Sequence, residues 1–289
     1  MKVGIIGAGR MGCALARGLK EKGMNISGVY SRSGESAELL NSLLGTSLPN
    51  DVHEAVGTSE LIFISVSDGA VEQTAKEVAA LVRREAVEGK VFLHCSGALT
   101  SECLSPIKHK GGHTGSLHPI QTFADREEGW RGLFNIYFGF EGCQAARGMA
   151  EAVAKALEGR LLDIKSEDKA LYHAAACVVS NYTVTLSYMA QNMLCAAGIS
   201  PEDAQAAFLP LLEKTVGNIS GLGSSRALTG PVSRGDSGTV QGHVDVIEKK
   251  LPEIVSIYKA LGRETLKIAL GRNSMDDEKA EALKRILER

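Results

Sequence analysis

A serine and a histidine that could handle a proton each follow a predicted strand of the chain. The serine is Ser96, in the segment His94-Cys95-Ser96-Gly97, and the histidine is His118, which comes just before a proline. Reduction of a carbonyl or an imine needs a proton as hydride arrives, and histidine exchanges protons near neutral pH. We therefore predict a catalytic site in which His118 moves the proton and Ser96 orients the substrate. Alternatives stay open, since His118 could instead stabilise its turn and His94 could point into the sheet.

A polar stripe on a later predicted helix offers further candidates. Lys169 and His173 are four residues apart and therefore share one helical face. Asn181 lies within roughly 80° of His173 at 3.6 residues per turn. Because buried polar groups need partners, we predict that Lys169 and His173 are catalytic and that Asn181 positions the substrate. The alternative is a surface lysine beside satisfied core polar groups, and the choice between His118 and Lys169 as the proton carrier stays open.

A third candidate lies in the glycine-containing loop at 229–236. Arg234 could pair with a carboxylate of the substrate, and Asp236 could cap the helix that follows. We predict a substrate-binding role for Arg234. The alternative is an ordered loop at a contact between domains or subunits.

Neither the histidines nor the cysteines are spaced for a metal site or a disulfide framework. His109 and His113 are separated by two glycines, which preclude a helical pair, and no carboxylate completes a set with His118. The six cysteines are scattered without a CxxC pair, so we predict reduced thiols, with Cys95 packed rather than reactive.

The strongest motif lies at the start of the chain, where Gly7-Ala8-Gly9-Arg10-Met11-Gly12 matches G-x-G-x-x-G. This segment follows a predicted strand and opens a predicted helix, which is the context that a dinucleotide site requires. Gly7 permits the tight turn, Gly9 lets the backbone approach a pyrophosphate, and Gly12 lets helix and strand pack closely. The helix N-terminus offers free N–H groups and a positive dipole end to the phosphates. We predict that these residues, with Arg10 and Met11, bind the cofactor.

The end of the second strand selects between the two nicotinamide cofactors. NAD sites place a carboxylate there for the ribose, whereas this chain has Ser31-Arg32-Ser33. An arginine flanked by hydroxyls suits a 2′-phosphate, so we predict NADP(H). A solvated arginine in a turn is the alternative. Val66-Ser67-Asp68 ends the next long strand and could border the nicotinamide, although Asp68 could equally cap the following helix.

Two different patterns divide the chain near Ser166. The first half alternates apolar runs with helical stretches, which predicts a parallel sheet with crossover helices. Beyond Ser166 the pattern is helical only, beginning with one long helix at 167–197 that Ser166 caps and that ends at Gly198. We predict an α/β domain at 1–165 and an all-α domain at 166–289. The predicted strands are 3–6, 26–30, 61–66, 91–94, 115–119, 135–140 and 160–164, and the later helices begin at 201, 240, 252 and 276.

Length and composition exclude several classes of protein. A chain of 289 residues with 44% hydrophobic and 23% charged residues is ordinary for a globular protein with two domains. The net charge of −2 gives no basic surface for nucleic acid. No apolar run approaches the ~20 residues that span a bilayer. The scattered cysteines, interpreted as reduced thiols, predict a cytoplasmic protein.

With these motifs in place, the whole chain resembles the NADP-dependent reductases that join a Rossmann domain to a helical C-terminal domain. Examples are 6-phosphogluconate and β-hydroxyacid dehydrogenases, ketopantoate reductase, pyrroline-5-carboxylate reductase and prephenate dehydrogenase. HCSGA at 94–98, HPIQTF at 118–123, KALYH at 169–173 and GPVSRGD at 230–236 resemble a narrower bacterial family. Its members are Rossmann-like NADP oxidoreductases whose C-terminal domain has no characterised function.

Only some of the functional residues of these families have counterparts in this chain. Lys169 matches the lysine of β-hydroxyacid dehydrogenases, but His173 replaces their asparagine, while Ser96 and His118 match the serine and His-Pro of prephenate dehydrogenases. The arginines of the prephenate dehydrogenase substrate domain are not evident. The resemblance implies a homodimer through the C-terminal helices. We expect an NADP(H)-dependent oxidoreductase for a small, anionic carbonyl or imine substrate bound between the domains; the alternative is a non-catalytic NADP(H)-binding sensor or scaffold.

Overall fold

The short apolar runs of the first half form one twisted sheet with the strand order β2-β1-β3-β4-β5-β6-β7. A computed structural model of the protein describes residues 1–272 and 275–288. All neighbouring strands run parallel except β5 and β6, which run antiparallel. The mostly parallel doubly wound sheet is therefore confirmed. The strands are β1 Lys2–Ile6, β2 Asn25–Tyr30, β3 Leu61–Ile64, β4 Val91–His94, β5 His113–Pro119, β6 Tyr137–Gly142 and β7 Arg160–Asp163.

The strand order reverses at β1, because β2 lies on one side of it and β3 on the other. At such a switch point the connecting helices leave on opposite faces and open a crevice at the carboxyl ends of the strands. The helices that accompany the sheet are α1 Arg10–Glu21, α2 Gly34–Leu44, α3 Val52–Gly57, α4 Asp68–Leu81, α5 Arg84–Val87, α6 Ser105–Lys108, α7 Gln144–Ala156 and α8 Lys169–Val179.

Alternate residues of the central strands supply two cores, one on each face of the sheet. In β3, Phe63 packs with α1, α2 and α7, whereas Ile62 packs with α3, α4 and α6. Successive side chains of a strand point to opposite faces, so a sheet covered on both sides needs apolar residues at every position. This explains why β3 is a continuous apolar run, and all four of its residues are buried.

A buried carboxylate anchors the segment that leads into α8. Glu141, at the end of β6, accepts hydrogen bonds from the Ser101 backbone N–H at 2.6 Å, the Ser101 hydroxyl at 2.9 Å and the Ser166 hydroxyl at 2.8 Å. The predicted helix cap at Ser166 is therefore wrong, because its hydroxyl is used by Glu141. The residues Ser166–Asp168 form a single 3-10 turn, and α8 begins only at Lys169.

The single long helix predicted at 167–197 is also wrong. It is interrupted at Ser180, whose backbone (φ −93°, ψ −69°) departs from the ordinary helical values, and α9 follows at Asn181–Ala196. The chain divides into two compact units at this break, Met1–Ser180 and Asn181–Arg289. Helix α8 thus belongs to the same compact unit as the sheet, and the sequence-based boundary near Ser166 stays a prediction.

The second unit is helical throughout its described residues. Val240, Leu266, Leu283 and Leu287 form its buried core. Asp236 accepts a hydrogen bond from the Thr239 backbone N–H at the start of the helix Ser237–Lys250, which confirms the predicted cap. No helix in the described part of the chain is long and apolar enough to cross a membrane. After α9 come α10 Pro201–Leu222, α11 Ser224–Ala227, α12 Pro231–Arg234, α13 Ser237–Lys250, α14 Val255–Leu270 and α15 Asp277–Glu288.

Replacement of Glu141 by glutamine should destabilise the first unit. The buried carboxylate of Glu141 accepts three hydrogen bonds, and its charge favours the protonated form of buried Lys169. Because hydrogen bonds to a charged group contribute about 1.5–3 kcal/mol, loss of the charge should lower the free energy of unfolding by a similar amount. Urea denaturation followed by circular dichroism measures the change in the free energy of unfolding.

The matched control is Glu151→Gln, which removes an exposed carboxylate from Arg147. It should leave the free energy of unfolding almost unchanged, because exposed ion pairs contribute little. An equal effect of the two substitutions would contradict the role assigned to Glu141.

Candidate functional site

The three motif glycines at the start of α1 have three different surroundings. Gly7 has a φ of +103° in the left-handed region, and a Cβ there would lie 2.9 Å from the Ser65 carbonyl. A Cβ on Gly12 would overlap the carbonyl oxygen of Gly7, whereas a Cβ on Gly9 would meet no atom within 4 Å. Gly7 and Gly12 are therefore needed by the fold itself. Gly9 leaves open space beside the turn, into which a ligand's phosphates could come close to the backbone.

Ser65 holds this turn from the end of β3. Its hydroxyl lies 2.8 Å from the carbonyl oxygen of Gly7 and 3.3 Å from that of Ile6. The sequence motif does not reveal this contact, because Ser65 lies far along the chain from Gly7. A hydroxyl residue directly after an apolar strand was the only available signal.

Helix α1 begins at Arg10 with Gly9 as its N-cap, and no side chain caps it. Its first N–H groups therefore have no side-chain acceptor, and the positive end of the helix dipole favours an anion there. Arg10 is exposed at this end, and Met11 packs against the core. These two residues can contribute backbone N–H groups to a bound anion.

The residues after β2 line a cavity of about 290 Å³ next to the glycine-rich turn. Asn50 fixes the backbone of Ser31 with two hydrogen bonds, accepting from its N–H at 2.8 Å and donating to its carbonyl at 3.0 Å. The Ser33 hydroxyl caps α2 by accepting from the Ser36 N–H. Ser31, Arg32 and Ser33 all line the cavity, as their predicted cofactor role requires.

A second arginine lines the same cavity and was missed in the sequence. Arg126 comes from the connection between β5 and β6, and its guanidinium donates to the Ser36 hydroxyl at 3.4 Å. Asp125 shapes this connection by accepting from the N–H groups of Glu127 and Glu128. Arg126 is more than ninety positions from Arg32, so only the tertiary fold could bring the two together.

The end of β3 contributes Val66 and Ser67 to the cavity. Ser67 is the N-cap residue of α4 but makes no side-chain cap, and Asp68 is the first helical residue. Asp68 as the N-cap, the alternative considered above, is therefore wrong. The Asp68 charge instead acts on the neighbouring polar cluster, where it favours the protonated forms of Lys169 and His118.

The residues at the end of β4 build a turn. His94 is fully buried, with one ring nitrogen 3.2 Å from the Thr100 carbonyl and the other accepting from the Ser96 N–H. It points into the domain interior, as the alternative prediction has it. Burial raises the pKa of the Cys95 thiol to about 12, so this cysteine is a poor nucleophile. The Ser96 hydroxyl accepts from the N–H groups of Ala98 and Leu99.

Lys169 is the most deeply buried of the predicted catalytic residues, with 1% of its surface exposed. Its ammonium donates to the Ser116 hydroxyl at 2.8 Å and to the Ser96 carbonyl at 3.2 Å. Burial lowers the pKa of Lys169, and the charges of Glu141 and Asp68 oppose this shift. The Lys169 charge in turn lowers the pKa of His94 and of His118.

His118, Tyr172 and His173 form an aromatic cluster between β5 and α8. His118 Nδ1 lies 2.7 Å from the Tyr172 hydroxyl, and its ring makes an edge contact with that of His173 at 6.0 Å. A Cβ on Gly97 would lie 2.5 Å from His173 Nδ1 and 3.0 Å from His118 Nε2. Burial, followed by the positive charge of Lys169, lowers the pKa of His118 to about 4. Tyr172 carries no sequence signal beyond its place next to His173.

The structure thus brings Ser96, His118, Lys169 and His173 together within the first unit. Asn181 and Arg234 belong to the second unit, where both are exposed, and their substrate-binding roles stay predictions. Within residues 1–272 and 275–288, no group of three or more His, Cys, Asp or Glu side chains could hold a metal ion.

The fold and the site define a class of protein in which a doubly wound sheet with a dinucleotide-type crevice is followed by a helical unit. Comparisons with known proteins point to the same class. Residues 1–119 match the Rossmann-like domain, and residues 136–265 match a domain of unknown function, DUF2520. The chain therefore joins a Rossmann-like domain to a DUF2520 domain, which confirms the resemblance noted in the sequence. No curated protein matches the chain.

Solved structures share this architecture over nearly the whole chain. Protein TM1727 from Thermotoga maritima is 27% identical, with a TM-score of 0.73 over 94% of this chain and 100% of its own. A candidate NADP oxidoreductase, BF3122 from Bacteroides fragilis, is 24% identical, with a TM-score of 0.71 over 92% and 98%. An imine reductase from Myxococcus stipitatus in complex with NADP+ is 21% identical, with a TM-score of 0.64 over 99% and 100%.

Alanine substitution should show which motif glycine the fold needs and which one leaves open space beside the turn. Gly12→Ala forces a methyl group into the Gly7 carbonyl and should cost about 3 kcal/mol of stability, as overpacking does. Gly9→Ala meets no neighbouring atom and should change stability by about 0.5 kcal/mol or less. Thermal or urea denaturation of both variants measures this, and a stable Gly12→Ala variant would refute the packing described for α1.

Proposed function

We propose that the protein is an NADP(H)-dependent oxidoreductase acting on a small, anionic carbonyl or imine compound. The observation that carries this proposal is the cavity that joins the glycine-rich turn to Arg32 and Arg126. When bound there, the nicotinamide cofactor supplies or accepts the hydride. The remaining steps fall to side chains of this chain.

The residues present fit such a cofactor. The open space at Gly9 and the uncapped start of α1 suit a pyrophosphate. Two guanidinium groups and the hydroxyls of Ser31 and Ser36 suit a 2′-phosphate. Glu77 also lines the cavity, but no carboxylate occupies the end of β2, where an NAD site would have one. This donor set favours NADP(H) over NAD(H).

The comparisons support the same proposal. The imine reductase from Myxococcus stipitatus was solved with NADP+, and the Bacteroides fragilis protein is named as a candidate NADP oxidoreductase. The two structures cover 92% and 99% of this chain. At 21% and 24% identity this likeness supports the architecture, while the choice of NADP(H) rests on Arg32, Arg126 and their hydroxyl neighbours.

The proton of the reaction falls to His118 in this proposal. It lies near the carboxyl ends of the parallel strands and is only partly buried, whereas the Lys169 ammonium is enclosed by Ser96 and Ser116. Lys169 therefore sets the charge of the site, and His118 meets the substrate. His173 borders the same space. Asn181, which would position the substrate, and Arg234, which would pair with a carboxylate, belong to the second unit, and their roles stay proposals.

A non-catalytic NADP(H)-binding protein is the second candidate. One observation favours it, because Ser96 and Lys169 are both already engaged by groups of their own domain. A sensor would bind NADPH without oxidising it in the presence of oxo acids or cyclic imines. Sustained loss of NADPH absorbance with any member of such a panel would exclude this candidate.

We also propose that two chains pair through the second unit. Helices α9 and α10 leave large apolar side chains exposed, including Val184 at 69% and Leu211 at 61%. Monomeric proteins rarely expose large contiguous apolar patches, and a two-fold interface would bury the same face of both copies.

The free cysteines of the described residues fit a reducing compartment such as the cytoplasm.

Substitution of either arginine should weaken NADPH selectively. Arg32→Ala and Arg126→Ala each remove a charged hydrogen bond worth about 1.5–3 kcal/mol, so the Kd of NADPH should rise about 10- to 100-fold. The Kd of NADH should stay within about twofold, because NADH lacks the phosphate. Titration of each variant with NADPH or NADH, followed by the fluorescence of the nucleotide, measures the two dissociation constants.

The matched control is Arg131→Ala, which removes an arginine that pairs with Glu128 and does not line the cavity. It should leave both constants unchanged. Equal losses of NADPH and NADH affinity in the Arg32 variant would overturn the phosphate assignment, and an unmodified protein that binds neither nucleotide would overturn the proposed function.

The proposed dimer should be lost when charge is placed on α10. Leu209 and Val216 are seven residues apart and therefore share a helical face, and both are 56% exposed. The unmodified protein should elute at twice the mass of the chain, and the double variant Leu209→Glu, Val216→Glu at the monomer mass. Light scattering on a sizing column measures this, with Leu81→Glu on the exposed part of α4 as control. A monomeric unmodified protein would refute the proposal.

A further inference from the structure

We propose that Tyr172 is a positioning residue that holds His118 in a single tautomer, with its proton on Nε2. The hydrogen bond between the Tyr172 hydroxyl and His118 Nδ1 carries this inference. The tautomer is a property of the protein alone. Its catalytic consequence, a fixed N–H donor for the reacting oxygen or nitrogen of the substrate, rests on the proposed function.

The direction of this hydrogen bond follows from the partners of the Tyr172 hydroxyl. His118 Nδ1 is the one hydrogen-bond partner of this hydroxyl among the described residues, and a phenol hydroxyl is a better donor than acceptor whereas an unprotonated imidazole nitrogen is a good acceptor. If His118 Nδ1 donated to the Tyr172 oxygen instead, the buried hydroxyl proton would have no acceptor within the described part of the chain. With the hydroxyl donating to Nδ1, both the hydroxyl proton and the Nδ1 lone pair are used. Nδ1 then carries no proton, and Nε2 carries it.

Gly139 provides the space for this arrangement. It lies on β6 directly opposite His118 on β5. A Cβ at Gly139 would overlap the Tyr172 hydroxyl, so only glycine at this position lets the phenol lie against the sheet. Burial raises the pKa of Tyr172 to about 12, which keeps the hydroxyl protonated and able to donate at neutral pH.

The other ring nitrogen of His118 lies beside the turn that follows β4. Nε2 would be 3.0 Å from a Cβ on Gly97 and has no hydrogen bond partner within the described residues. His173 Nδ1 also lies close to Gly97, and this buried nitrogen has no hydrogen-bond partner among the described residues. Two imidazole nitrogens without protein partners therefore border one small space. A polar atom of the substrate that accepts from His118 Nε2–H would satisfy one of them.

Burial is the main reason that His118 stays neutral while it donates. The charges of Lys169 and His173 lower the pKa of His118 further, the Asp68 carboxylate raises it, and His94 lowers it. Because the folded-state pKa is about 4, the imidazole stays uncharged across the neutral range. Removal of the Lys169 charge should therefore raise the pKa of His118 toward its ordinary value of 6.5.

Nitrogen NMR of histidine tests the proposal without a substrate. In the full chain labelled with ¹⁵N-histidine, long-range proton–nitrogen spectra distinguish protonated from unprotonated ring nitrogens, and His118→Gln assigns the signals. We expect His118 Nε2 protonated and Nδ1 unprotonated at pH 7. In Tyr172→Phe the preference should fall by about tenfold, because one net hydrogen bond is lost.

The matched control is Tyr137→Phe. Tyr137 lies on the same strand as Gly139, and its hydroxyl accepts a hydrogen bond from Arg160 at the surface. It should leave the His118 signals unchanged, and the other histidine signals report whether each variant is folded. A proton on Nδ1 in the unmodified protein, or an unchanged tautomer in Tyr172→Phe, would overturn the inference. If the tautomer is as expected but NADPH does not bind, the proposed function fails and the role of Tyr172 stands.

Discussion

A buried ammonium group is the interaction on which the candidate active site depends. Lys169 lies at the start of α8 and reaches the ends of β4 and β5 through the Ser96 carbonyl and the Ser116 hydroxyl. This contact fixes where α8 begins, and therefore where Tyr172 and His173 meet the sheet. A buried charge is costly unless it is paired and hydrogen-bonded, and the carboxylate of Glu141 supplies the nearby opposite charge. The same ammonium makes protonation of His118 unfavourable. Lys169 thus joins the start of α8 to the sheet and, after burial, is the largest cause of the low pKa of His118.

A second constraint is the close approach of backbone segments. Gly12 packs on the carbonyl of Gly7, Gly139 lies under the Tyr172 hydroxyl, and Gly97 lies against both histidines. At each of these positions a side chain would occupy space that another group needs. The open side of Gly9 is the exception, because no atom of residues 1–272 or 275–288 lies within 4 Å of a Cβ placed there. This difference between packed and open glycines is the physical basis for separating the residues that build the fold from those that leave room for a ligand.

The comparison with solved structures also separates what the fold needs from what the candidate site needs. The architecture is shared over nearly the whole length of structures that are 16–27% identical, so it depends on apolar patterning that many sequences satisfy. The polar cluster is more particular. Lys169 donates to the Ser116 hydroxyl on β5 and to the Ser96 carbonyl after β4, and Tyr172 on α8 hydrogen-bonds His118 on β5. The shared fold does not by itself define a reaction, so the function has to be sought through the chemistry of this cluster.

The sequence by itself determined the elements whose signals are local. The glycine spacing defined the turn at Gly7–Gly12, continuous apolar runs defined a sheet buried on both faces, and Ser31-Arg32-Ser33 marked one wall of the cavity. The break at Ser180, the use of Ser166 by Glu141, and the approach of Arg126 and Tyr172 were decided only in the tertiary structure. These features depend on contacts between residues far apart in the chain. Local propensity and spacing carry no information about such pairs, because the free energy that selects them comes from burial and hydrogen bonding across the fold.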